Sequence, residues 1–108
     1  MNLQRIRTML GFAMRAGKLT LGTELICKAM QRQKNEIKLV IISSEASEGT
    51  KKKLGFKTEF YKIPALTLDI SMSVLGQALG KSYAPAAVAV CDEGFAKQIL
   101  EAVNTNTH

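Results

Sequence analysis

The segment Ile37 to Ile42, apolar throughout except for Lys38, most narrows the folds open to this 108-residue chain. A β-branched and aliphatic run without polar alternation describes a strand covered on both faces, as in a parallel or mixed sheet lying between helices. Ala86 to Cys91 repeats the pattern, and Ala65 to Leu68 gives a shorter strand. The stretches between these runs have helical spacing instead. Leu3, Ile6, Leu10 and Ala13 recur with arginines between them, which predicts a helix over residues 3 to 15 closed by Gly17.

A short apolar piece, Lys18 to Leu21, precedes Gly22-Thr23, where a second helix opens. Leu25, Ile26, Ala29 and Met30 are expected to face inward, with Glu24, Lys28 and Arg32 opposite. Ser43-Ser44-Glu45-Ala46 leaves the central strand, and Ser47 caps a third helix whose Glu48 suits the positive end of the helix dipole. That helix carries Lys51, Lys52 and Lys53, with Leu54, Phe56 and Phe60 as its apolar contacts. Gly55 weakens it by about 1 kcal/mol, and Pro64 marks its limit. Ser71 to Leu79 forms a short helix ending at Gly80, and Asp92 caps a last helix holding Phe95, Ile99, Leu100 and Val103. Helices and strands thus alternate from end to end. The fold class is α/β, a three-layer α/β/α sandwich with a small central mixed sheet. One domain over residues 1–103 is expected, followed by a flexible polar tail at 104–108.

At 46% hydrophobic residues the chain can build a continuous core, so a monomer is expected. Its net charge of +6 and pI near 9.6 favour polyanionic partners. The charge is unevenly spread. Residues 1–57 hold twelve Lys and Arg against four acids, whereas residues 58–108 hold three against five. Cys27 and Cys91 are far apart in sequence and read as reduced small hydrophobes. No apolar stretch approaches the roughly 18 residues needed to cross a bilayer, and no secretory leader is apparent, so a cytoplasmic protein with no membrane contact is expected.

Catalysis finds little to work with, since the single histidine, His108, sits at the chain end where nothing orients it. One His and two distant Cys supply no recognisable metal site, and no cofactor is implied. Two stretches imitate a phosphate-binding loop. Gly11 to Lys18 has one residue too many between its glycines, and Gly76 to Ser82 has one too few, so Gly80 reads better as a helix cap. Stacking modules for single strands use several exposed aromatic rings. Here Phe12, Phe56, Phe60 and Phe95 fall at positions expected to be core, which leaves Tyr83 as the aromatic expected on the surface.

The best candidate site is Arg15-Ala16-Gly17-Lys18 followed by Gly22-Thr23-Glu24, with Lys28 one turn on. Unpaired amides at a helix start bind phosphate, and glycine there lets a backbone approach closely. Lys28 also lies four residues from Glu24, so it reads equally as half of a solvated helix pair worth a few tenths of a kcal/mol. The Lys51 to Lys53 run reads as a solvated face.

Taken together, Leu10-Gly11 through Arg15-Ala16-Gly17-Lys18, Leu21-Gly22-Thr23, Lys28-Ala29, Lys38 to Ile42 and Leu75 to Gly80 resemble the L-seven-Ae/L-thirty-e ribosomal protein family. Ser44 to Leu54 and Val90 to Ala96 especially resemble its short bacterial, YlxQ-like branch. The resemblance implies the same sandwich, no catalysis, and binding of kink-turn or related structured RNA, ribosomal RNA and the ribosome among the partners. It also implies contacts from the start of the second helix, with Gly22, Thr23 and Lys28 matching or compatible with the family pattern. The loop before the last strand, carrying Ser82, Tyr83, Ala84 and Pro85, corresponds to the second contact region. Where kink-turn binders commonly have Asn-Glu or Lys-Gln, this chain has Glu24-Leu25. A carboxylate there accepts hydrogen bonds from guanine amino groups but repels phosphate. On this reading Arg15, Lys18, Lys28 and Arg32 contact phosphates while Gly22, Thr23 and Glu24 approach bases. One rival is a protein-docking module on the same sandwich with an exposed apolar loop at Tyr83 to Ala86; a third reading, an enzyme or its detached substrate-binding domain, is disfavoured by the missing acid and base residues.

Overall fold

A computed structural model describes residues 1–32 and 36–105. In chain order its elements are α1 (Leu3–Arg15), β1 (Leu19–Leu21), α2 (Thr23–Gln31), β2 (Leu39–Ser43), α3 (Glu48–Phe60), β3 (Ala65–Leu68), α4 (Met72–Leu79), β4 (Ala87–Val90) and α5 (Glu93–Asn104). The strands form one mixed sheet in the order β1-β4-β2-β3. β4 is antiparallel to both β1 and β2, while β2 and β3 are parallel.

Two-residue periodicity explains why the strand sequences are apolar throughout. Leu39 and Ile41 of β2, with Val88 and Val90 of β4, face a core built by Ile6 and Leu10 of α1, Leu75 and Leu79 of α4, and Ile99 of α5. Val40 and Ile42, with Ala87 and Ala89, face the opposite core of Ile26, Cys27 and Met30 from α2 and Leu54 from α3. Each central strand is therefore buried on both sides, and the expected α/β/α sandwich with a mixed sheet is what forms. Lys38 lies just before β2 instead of inside it, which lets its side chain reach the surface.

Several side chains sit differently from the sequence expectation. Leu25 is 58% exposed, and Cys27 takes the inward place given to it, because the buried stripe of α2 centres on Ile26, Cys27 and Met30. Phe56 and Phe60 point outward from α3, whose inward face is Leu54 and Thr58. Phe12 is also exposed, covered on one side by the Arg15 guanidinium 5.0 Å from its ring centroid. Only Phe95 packs against the core. At the C-terminal end, α5 continues through Asn104, and the Thr105 hydroxyl donates to the Glu101 carbonyl (2.6 Å). Asn104 and Thr105 thus belong to the folded body, and residues 106–108 of the expected tail lie outside the described residues. No described helix is long and apolar enough to cross a membrane.

Candidate nucleic-acid interface

The sheet pairing brings two distant segments together. Because Leu21 of β1 pairs with Val88 of β4, the residue after β1 meets the loop that leads into β4. The Gly22 amide donates to the Ala87 carbonyl at 3.1 Å, closing this junction. Loop 81–86 is held from its other side by α4, where the Lys81 amide donates to the Gly76 carbonyl (2.9 Å). The Ser43 amide in turn donates to the Ala86 carbonyl (2.9 Å), so the C-terminal end of β2 lies at the same place. Lys81, Ser82, Tyr83 and Ala84 are exposed, but Pro85 is buried where the loop enters the sheet. Pro85 therefore shapes the loop and offers little surface to a ligand.

Gly22 has φ 90° and ψ 148°, a backbone state that L side chains avoid, and it stands at the N-cap of α2. Side-chain oxygens of Asn2, Ser47, Ser71 and Asp92 accept the first free amides of α1, α3, α4 and α5. Glycine offers no such oxygen, so the start of α2 has no side-chain cap and its first amides are open to an acceptor from outside. Glu24 and Leu25 are exposed on this tip, with Thr23 partly so. Lys28 follows one turn later on the Glu24 face and is also exposed. No ion pair joins the two; the pairs formed between described side chains are Arg5–Glu101 and Lys51–Glu48. The Lys28 ammonium is thus left to solvent or to a ligand.

The acidic groups nearby are partly committed. The Glu45 carboxylate accepts from the Met72 amide (2.8 Å), and Asp69 accepts from the Ser44 hydroxyl (3.3 Å). Ser43 is fully buried, its hydroxyl donating to the Ile70 carbonyl (2.6 Å) and accepting from the Glu45 amide (3.0 Å). These bonds fix the β2–α3 turn beside the tip. No local signal marks Ser43 and Glu45 for this role, because the Ile70 carbonyl and the Met72 amide that they bind each lie 27 residues away.

Not all sequence candidates gather here. Gly22, Thr23, Glu24 and Lys28 share one end of the sheet with Ser82, Tyr83 and Ala84. Lys18 lies at the other end of β1, where its carbonyl accepts from the Cys91 amide (2.8 Å). At about 3.3 Å per strand residue it is roughly 13 Å from Gly22. Arg15 ends α1 on that same far side. Arg32 is the C-cap of α2, about 15 Å along the helix from Gly22. Among the described residues no group of three or more His, Cys, Asp or Glu side chains is placed to hold a metal ion.

These features define an α/β/α sandwich that presents an uncapped helix start beside an exposed loop. The chain belongs to the Ribosomal protein L7Ae/L30e/S12e/Gadd45 family, whose profile matches residues 4–100. It is 38% identical over 103 residues to the RNA-binding protein YlxQ of Enterococcus faecium, covering 94% of each chain. Over 92 residues it is 38% identical to the RNA-binding protein YlxQ of Bacillus subtilis (strain 168), covering 85% of this chain and 88% of that one. A solved protein of unknown function from Bacillus halodurans C superimposes with a TM-score of 0.84 at 35% identity, covering 94% of this chain and 98% of the other. The Giardia lamblia 15.5kD RNA binding protein shares the fold at TM-score 0.75 and 17% identity, over 94% of this chain and 83% of its own.

Proposed function

We propose that this protein is a non-catalytic binder of structured RNA, of the kink-turn or a related ribosomal type, acting as a cytoplasmic monomer. The observation that carries the reading is the junction at Gly22, which sets the open amides of α2 beside loop 81–86. A sharply bent backbone places a phosphate on those amides while bases meet Thr23 and Glu24, with Tyr83 and Ala84 packing on an unstacked base. Lys28, and Arg32 one turn further along α2, follow the flanking phosphates. Roughly four nucleotide steps of about 3.4 Å span the distance to Lys18 and Arg15, so an RNA arm crossing the molecule reaches them. The membership of the family and the RNA-binding names of two relatives support this reading.

Crosslinking in cells followed by sequencing of bound RNA, with Lys28→Ala in parallel, tests it. Lys28→Ala is expected to recover less RNA, and in a binding assay to flatten the log-log salt dependence by nearly one unit, as for one lost phosphate contact. Equal recovery from variant and parent removes Lys28 from the interface. Recovery of no RNA by the parent favours protein docking, for which the exposed Leu25 on the tip is the supporting observation.

A further inference from the structure

The outward face of α3 carries a feature that the tip does not use. Phe56 and Phe60 are 72% and 76% exposed, more than any other large apolar side chain among the described residues. At 100° per residue they lie within about 40° of each other, one turn apart. Lys52 and Lys53, both exposed, precede Phe56 by one turn and flank it on either side. Lys57 is half-buried beside the stripe, Glu59 is exposed on its Lys52 side, and Lys51 is turned toward Glu48 (3.5 Å). The register is fixed from behind by buried Leu54 and Thr58, whose hydroxyl donates to the Leu54 carbonyl (2.7 Å). Phe60 is further held edge-to-face against Tyr61 at 4.9 Å. The rings cannot turn inward without exposing Leu54.

We propose that this stripe is a second RNA surface, one that stacks the unpaired bases of a single-stranded segment on Phe56 and Phe60 and holds its phosphates with Lys52 and Lys53. Each nucleotide brings one flat π-face and one negative charge, and an aromatic ring beside a cation is what binds that pair without regard to sequence. Other occupants fit less well. The rings offer about 150–250 Å² each, about half of the roughly 800 Å² that a standard protein partner covers, and lysine is depleted from protein interfaces. A helix lying in a membrane interface needs a broad apolar face, whereas the outward face of α3 has two apolar residues.

The stripe also lies within reach of the tip. α2 and α3 follow β1 and β2, which run parallel because both are antiparallel to β4, so the two helices start at one end of the sheet and share one core. Phe56 lies about 12 Å and Phe60 about 18 Å along α3 from Glu48, four to five nucleotide steps of about 3.4 Å. Continuity with the tip rests on the proposed function above; the stripe itself does not.

Fluorescence anisotropy with labelled 12-nucleotide oligouridylate and oligoadenylate, using the full chain, tests the proposal. The double variant Phe56→Ala/Phe60→Ala is expected to bind at least tenfold more weakly, since loss of one stacked base costs roughly 5- to 150-fold. Lys52→Gln/Lys53→Gln should reduce the log-log salt slope by about 1.4. Phe56→Trp, the sole tryptophan in the chain, should retain affinity and show quenched emission when oligonucleotide is added. All four side chains are at the surface, so melting temperatures matching the parent keep the comparison free of folding effects. No binding of either oligonucleotide by the parent, or equal binding by parent and double alanine variant, overturns the proposal. So does uptake on phosphatidylserine vesicles, or self-association, that the ring substitutions abolish while oligonucleotide binding stays unchanged. Lys28→Ala read on folded RNA tests the tip and the ring variants read on unpaired RNA test the stripe, so either reading can fail alone.

Discussion

Substitution of Gly76 by alanine tests how tightly loop 81–86 is seated. Gly76 is buried in α4, and a Cβ built on it would stand 2.6 Å from the Tyr83 carbonyl oxygen and 3.5 Å from the Ala84 Cα. Both neighbours are backbone, and the Lys81 amide already ties this loop to Gly76, so the loop cannot yield as a flexible side chain would. Two effects oppose each other. Alanine gains about 1 kcal/mol over glycine inside a helix, whereas forcing a methyl into a packed contact costs about 1–3 kcal/mol. The 2.6 Å approach to backbone that cannot swing away puts the cost in the upper part of that range, about 2–3 kcal/mol, so a net loss of about 1–2 kcal/mol is expected. For a domain of this size each kcal/mol moves the melting temperature by about 4–8 °C, so Gly76→Ala should melt about 4–16 °C below the parent. Gly55→Ala is the matched control, because no atom lies within 4 Å of its added Cβ. It should melt above the parent by about 4–8 °C. Circular dichroism melts with urea titrations at constant m-value measure both. A Gly76→Ala protein as stable as the parent would refute the claim that the loop rests on the α4 backbone.

Gly22→Ala should lose about 1–3 kcal/mol through backbone strain alone, since its φ is 90° and nothing lies within 4 Å of the added methyl; an unchanged urea midpoint would contradict this. Ser43→Ala should lose about 1–3 kcal/mol by leaving the Ile70 carbonyl and the Glu45 amide without their buried partner, and a loss under about 0.5 kcal/mol on urea unfolding would show that the serine is not what holds this turn.

The sandwich was legible because β2 and β4 are covered on both faces, and a strand in that position has no polar alternation to hide it. The caps Ser47 and Asp92 were equally readable, since each acts on an amide three residues ahead and needs no tertiary information, and Ser71, expected as the first residue of its helix, caps it in the same way. Individual hydrophobic side chains were less so. Leu25, Phe12, Phe56 and Phe60 were expected inside on the strength of residue type, but each lies off the centre of its helix's buried stripe, where packing decides. Proximity in sequence does not bring Arg15 and Lys18 to the tip itself, because extended β1 carries the chain about 13 Å from Lys18 before α2 begins. Conversely, nothing local ties Ala87 to Gly22, and only the β1–β4 register makes them neighbours.

The Gly22–Ala87 hydrogen bond joins chain segments that are 65 positions apart, so neither half of the tip is assembled in an unfolded chain. A ligand gripping both halves has affinity for the native ensemble alone, and by mass action it draws that ensemble down in free energy. At one hundred times its dissociation constant the linkage amounts to about 2.7 kcal/mol. Recognition and thermodynamic survival are therefore coupled, and scarcity of the ligand would be felt as fragility of the fold.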